Sequence, residues 1–112
     1  MSLRRLLRSW RARVAVHGHS MEPTLREGDW LLVDPDAYRL RAPRHGELVV
    51  ADGPTGLLVK RAIGSPTNGR LELAGDAPSA DRHRHDVAVP LSAAGGRPWF
   101  RYWPPGRIGR LR

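Results

Sequence analysis

Of the 19 basic side chains in this 112-residue sequence, 18 are Arg and one, Lys60, is Lys. Solvation, phosphate contact and surface ion pairing are all served by Arg. Loss of a proton is not, because a guanidinium stays charged whereas a desolvated ammonium shifts toward the neutral amine. Lys60 lies in Leu57-Leu58-Val59-Lys60-Arg61-Ala62-Ile63, where apolar neighbours are expected to lower its pKa. A lysine general base needs that environment. The group such a base would serve is a hydroxyl, a weak nucleophile by itself. Ser20, in Gly18-His19-Ser20-Met21-Glu22-Pro23-Thr24-Leu25, sits in a turn marked by Gly18 and Pro23. Glycine there lets a substrate approach the backbone, and backbone N–H groups would form an oxyanion hole. Each residue also has a plainer reading: a Lys surviving in an Arg-biased composition, and a Ser that merely makes a turn.

The elements that must position them read as short strands. Val14–Val16, Trp30–Val33, Glu47–Ala51, Leu57–Ile63, Arg70–Leu73, Val87–Leu91 and Trp99–Trp103 are apolar runs between Gly/Pro turns. Asp52-Gly53-Pro54-Thr55-Gly56 is a hairpin signal, Arg41–Gly46 and Ser65–Gly69 read as turns, and Gly75–Asp86 reads as a polar loop. With 12 Gly, 10 Pro and 6% aromatics, this predicts an all-β, antiparallel fold rather than a helix bundle. The division expected is a basic segment at 1–13 and a single domain at 14–112. Leu3, Leu6, Leu7 and Trp10 fall at helical spacing, so one short N-terminal helix is allowed.

No cysteine is present, which excludes a disulfide scaffold, a thiolate metal site and a Cys nucleophile. The formal charge of +8 is unevenly placed. Residues 1–13 carry five Arg, residues 97–112 carry five more, and neither end holds an acid. The middle has the other nine basic side chains against all eleven acids, a net of −2. Such ends suit either solubility or an acidic partner, including an anionic membrane surface touched peripherally by the N-terminus. No stretch approaches the roughly 20 apolar residues that span a bilayer, and the N-terminus lacks a signal-peptide h-region; a cytoplasmic location is expected. His83 and His85 read as solvated loop residues rather than metal ligands. His17 and His19 alternate away from Ser20 if the segment is extended, which favours Ser–Lys over Ser–His. No metal and no cofactor is called for.

Taken together, these segments resemble the signal peptidase I type of serine protease. Gly18–Leu25 with Gly28-Asp29-Trp30-Leu31-Leu32-Val33 resembles the nucleophile box. Gly46-Glu47-Leu48-Val49-Val50 with Val59-Lys60-Arg61-Ala62-Ile63-Gly64 resembles the lysine box, and Gly75-Asp76 with Ser79-Ala80-Asp81 the third. The resemblance implies a signal-peptidase/LexA-like antiparallel fold, a partly closed barrel. It implies Ser20 as nucleophile, Lys60 as general base, and the Ser20 backbone N–H as oxyanion donor, with Gly18 able to help only through its backbone. Ser79 would orient Lys60, Asp81 would be structural with Arg82 or Arg84, and Met21 and Pro23 would shape the cleft. Departures from the pattern are Ala77 where Asn is usual and Asp81-Arg82-His83-Arg84 in place of Asp-Ser-Arg. The Arg101-Tyr102-Trp103-Pro104 ending resembles a short, anchorless subfamily that matures nickel-type superoxide dismutase, which makes a precursor of that enzyme the expected substrate. A self-cleaving repressor-type peptidase shares the Ser–Lys logic, but the chain has no spare length for its DNA-binding domain. A small basic nucleic-acid-binding β-barrel is the reading from another class. It finds interleaved aromatic and basic residues only at Trp99–Trp103, so no nucleic acid is expected.

Overall fold

The computed structural model describes residues 13–54, 56–78 and 87–112. They form eight strands: β1 (Arg13–Ala15), β2 (Trp30–Asp34), β3 (Leu48–Gly53), β4 (Gly56–Thr67), β5 (Arg70–Ala74), β6 (Val87–Pro90), β7 (Ala94–Trp103) and β8 (Gly109–Arg110). All pairings are antiparallel and follow the open path β1-β2-β7-β3-β4-β5-β6, with β8 added to β7. The all-β expectation is met. The short N-terminal helix falls outside the described residues. Among those residues, no helix is long and apolar enough to cross a membrane.

β3 explains the layering. Its sequence, Leu48-Val49-Val50-Ala51, is apolar without alternation because both faces are covered. Leu48 and Val50 join a core with Val14, Val16, Met21, Leu25, Leu31 and Val33. Val49 and Ala51 face a second core with Tyr38, Ala62, Leu71, Leu73, Val89 and Ala94. β7 serves both layers, pairing with β3 through Ala94 and Gly96 and with β2 from Arg97 onward.

Two strands run longer than their apolar patterns predict. β4 continues past Gly64 into Ser65-Pro66-Thr67, part of the turn read from sequence at Ser65–Gly69, and β7 begins at Ala94 rather than Trp99. In both, a proline sits beside a register shift, at Ile63/Thr67 in β4 and opposite Val33 in β7. Bulges accept a residue with no N–H to give, so proline does not end these strands. The turn after β4 tightens to Asn68-Gly69, both at positive φ, which suits a two-residue hairpin.

Candidate active site

The segment between β1 and β2 is a closed loop. Val16 N–H donates to the Asp29 carbonyl at 2.8 Å, and Gly28 N–H to the Val16 carbonyl at 3.0 Å. Within it, Leu25 N–H donates to the Met21 carbonyl at 2.9 Å, a single helical turn. Met21 and Leu25 lie four residues apart on that turn and both sink into the first core. Ser20 immediately precedes this anchored turn. Gly18, at φ +82°, makes the reversal before it, a conformation that costs glycine nothing. The segment is therefore a turn and not the extended stretch assumed in weighing the histidines. His19 is exposed and bonds Glu22 at 2.8 Å, an interaction that raises its pKa. His17 lines the cleft beside Ser20.

Lys60 enters from β4, directly opposite Val49 of β3. It is 8% exposed, and its Nζ donates to Ser20 Oγ at 2.6 Å. Forty residues of sequence separate the two. They open onto a cleft of about 540 Å³ whose walls are β1 with its continuation to His17 on one side and Leu57–Lys60 of β4 on the other. Of the two residues expected to shape the cleft, Met21 is among the residues that line it, and Pro23 is exposed and does not line it.

The support around this contact comes from residues to which sequence reasoning gave no role. Arg61, next to Lys60, makes a two-pronged pair with Asp76, Nε to Oδ1 at 2.9 Å and Nη2 to Oδ2 at 2.7 Å. Thr24 Oγ1, on the Ser20 turn, donates to the same carboxylate at 2.6 Å. Ala77 N–H donates to the Ser20 carbonyl at 3.0 Å. The segment after β5 thus holds both the Ser20 turn and the strand of Lys60. The Arg61 guanidinium is the main reason that the Asp76 carboxyl lies below its ordinary pKa, with Thr24 adding to it against the opposing effect of burial. Ser79 and Asp81, expected in these supporting roles, lie outside the described residues.

A second carboxylate, Asp29, is buried at the start of β2. It accepts from Arg101 Nη1 at 3.1 Å, Arg107 Nη1 at 3.1 Å and Arg26 N–H at 2.9 Å. Arg101 also donates to the Thr24 carbonyl at 3.0 Å. Two of the five C-terminal arginines, read from sequence as solubilising or partner-facing, are therefore spent inside the protein. The signals were legible: Gly75-Asp76 and Gly28-Asp29 both fall in the quoted motifs. Their partners were not, because Arg101 lies 72 residues from Asp29.

No cluster of His, Cys, Asp and Glu able to hold a metal occurs among the described residues. The arrangement is a hydroxyl and a buried amine in contact, beside a cleft with two walls of extended backbone.

Comparison with known proteins gives the family. The family described as signal peptidase, peptidase S26, matches residues 6–76, a span that takes in Ser20, Lys60 and Asp76. A protein of Synechocystis sp. described as a probable signal peptidase I-2 is 45% identical over 139 aligned residues, which cover 82% of this chain and 63% of that relative. The chain thus spans a little under two thirds of the relative's length. No solved structure matches. More than half of the chain fits one family, with the contacting Ser and Lys inside the matched span, and the chain belongs to the signal peptidase family, peptidase S26.

Proposed function

We propose that the chain is a serine endopeptidase that cleaves a protein precursor by acyl transfer, with Ser20 as nucleophile and Lys60 as general base. The observation that carries this reading is the 2.6 Å contact between Lys60 Nζ and Ser20 Oγ at a buried lysine. With the amine uncharged, the Ser20 O–H donates to Nζ. As Oγ bonds the scissile carbonyl carbon, its proton passes to Lys60, and the oxyanion is held by the Ser20 backbone N–H with backbone help from Gly18. Lys60 then returns the proton to the leaving amine as the C–N bond breaks. A water deprotonated by Lys60 attacks the ester and frees Ser20.

The cleft suits an extended peptide. Among the described residues, β1 pairs only with β2, and Leu57–Lys60 of β4 pair only with β3, since β5 pairing begins at Arg61. Among those residues both walls thus keep one unpaired backbone edge, onto which a substrate strand would add. Arg61, Asp76 and Thr24 act as positioning residues, holding the Ser20 turn against the Lys60 strand. The finer reading, a nickel superoxide dismutase precursor as substrate, is supported by the Arg101-Tyr102-Trp103-Pro104 ending; the relative found by comparison carries the name of a signal peptidase.

The test is co-expression with a panel of precursors, nickel superoxide dismutase among them, read by intact mass. Wild type should remove an N-terminal extension, and Ser20→Ala and Lys60→Arg should not. Lys60→Arg is decisive because it keeps the charge and loses only the ability to release a proton. Near-normal cleavage by Lys60→Arg would remove the general-base role. A dismutase precursor left intact while another is cut would remove the finer reading alone.

A further inference from the structure

Residues 13–17 alternate strictly. Val14 and Val16 are 6% and 4% exposed and sink into the first core, so Arg13, Ala15 and His17 share the opposite face. All three line the Ser20 cleft. This wall therefore reads guanidinium, methyl, imidazole, and its two basic groups stand about 13 Å apart along extended chain. The facing wall, Leu57-Leu58-Val59, is aliphatic. Among the described residues that line the cleft none is acidic, and the one further basic group, Lys60, is in contact with Ser20.

Neither basic side chain on this wall is spent within the protein. Arg41, Arg61, Arg101 and Arg107 each meet a carboxylate. Among the described residues no carboxylate pairs with Arg13 or His17, and neither side chain makes a hydrogen bond. The Arg13 guanidinium lies 5.9 Å from the Tyr102 ring, a contact through its face that leaves its N–H donors open. Trp30 stands opposite Ala15, with its ring 6.5 Å from that of Tyr102, so β2 covers one edge of β1 only. The carboxylates nearest in sequence, Glu22 and Glu27, face His19 instead, at 2.8 and 3.8 Å.

We propose that Arg13 and His17 select precursor segments that carry two acidic side chains four residues apart. The inference rests on the reading of the cleft as a peptide site. A substrate strand added to the free edge of β1 alternates as β1 does. Its side chains at i and i+4 then stand beside Arg13 and His17 on one face, with i+2 beside Ala15. Cross-strand pairs of opposite charge stabilise such an addition, and a guanidinium offers a carboxylate two parallel N–H groups. At i+3 or i+5 the second acid would turn toward the first core, where an unpaired charge is costly. His17 is at the Ser20 end of the wall, so one acid falls near the bond to be cut and the other four residues from it.

The experiment measures, by fluorescence anisotropy, binding of labelled Ala-rich peptides to the full chain as Ser20→Ala. The peptides carry Glu at i and at i+2, i+3, i+4 or i+5, with Gln at i and i+4 as reference. The i,i+4 Glu peptide should bind about five-fold tighter than the Gln peptide, because two cross-strand charge pairs add, and tighter than every other spacing. Arg13→Glu should cancel that preference and favour peptides with one Glu replaced by Lys, a reversal that a merely structural role would not produce. His17→Ala should remove the preference for i+4 over other spacings. Arg110→Glu, the same charge change outside the cleft, should leave it intact, and unchanged thermal midpoints would show that the variants fold. Equal affinity at all spacings, equal affinity for Glu and Gln, no binding of any peptide, or an unaltered preference in Arg13→Glu would overturn the proposal. Cleavage of the same peptides by wild type is read separately by intact mass. A spacing preference without cleavage would remove the catalytic reading and leave the selection standing; cleavage without a spacing preference would remove the selection alone.

Discussion

Two carboxylates hold the Ser20 turn, Asp76 through Thr24 and Asp29 through the Arg26 N–H and Arg101, and they do so by different physics. Asp29 has a side chain 2% exposed and is met by two arginines from β7 and the turn beyond it. Asp76 is 18% exposed and is met by one arginine, at better geometry, plus the Thr24 hydroxyl. Removing one member of a buried charge set leaves the others desolvated and unmatched, a large cost in stability. Removing a charge that water can partly reach costs less stability, but here it frees the link between the Ser20 turn and Arg61. On the proposed function, Asp29 is accordingly a folding residue and Asp76 a positioning residue, although both reach the same Thr24, one through Arg101 and the other directly.

The largest effect that would test this contrast is on stability. Asp29→Ala should cost about 3 kcal/mol or more, because Arg101 and Arg107 would lose their shared partner. Thermal denaturation should show a midpoint lower by roughly 10 °C or more. A shift of only a degree or two would end the distinction. Asp76→Asn, which keeps the shape, should move the midpoint much less. Its effect should fall on kcat, by on the order of tenfold with KM nearly unchanged, since misplacing a reacting pair costs rate rather than binding. Equal losses of kcat and stability in steady-state kinetics and melting would make Asp76 a second Asp29.

Acid should loosen the Asp76 side in a defined window. Its carboxyl is held below the ordinary 3.8 chiefly by Arg61. Away from the site, Glu47 is held at about 2, against an ordinary 4.5, chiefly by Arg41. A carboxylate depressed in the folded state adds stability above its unfolded pKa and loses it as pH falls through the folded value. The melting midpoint should therefore be insensitive to these groups above about pH 5 and decline below about pH 4. Glu47→Gln should flatten the part of that decline due to Glu47 while leaving cleavage unchanged. The smallest effect expected is from Thr24→Val, which removes one hydrogen bond to Asp76, worth about 1 kcal/mol in stability. Its kcat should fall less than that of Asp76→Asn; a larger fall would place Thr24, not Arg61, at the head of the link.

Legibility in the sequence divided along similar lines. Seven of the eight strands were announced by apolar runs between Gly and Pro, because backbone pairing follows local pattern. β8 is two residues long and carries no pattern to read. The strands' true ends were hidden where Pro66 and Pro98 sit at register irregularities, since a bulge is set by the partner strand and not by the proline itself. Ser20 and Lys60 were legible for a chemical reason: one lysine kept among arginines, and a serine framed by Gly18 and Pro23. The aromatic run Trp99–Trp103 was visible in the sequence, but Trp30 and Arg13 meet Tyr102 only across strands.

The sequence by itself therefore determined the class of fold, the two residue types that meet, and the family to which their motifs belong, because each depends on composition and spacing along the chain. Tertiary structure alone decided that Lys60 Nζ reaches Ser20 Oγ, that Asp76 and Asp29 choose Arg61, Arg101 and Arg107 from among eighteen arginines, and that Trp30 meets Tyr102 across strands. Those outcomes depend on strand register and on which charges burial forces to pair, and neither is written in any local stretch of the chain.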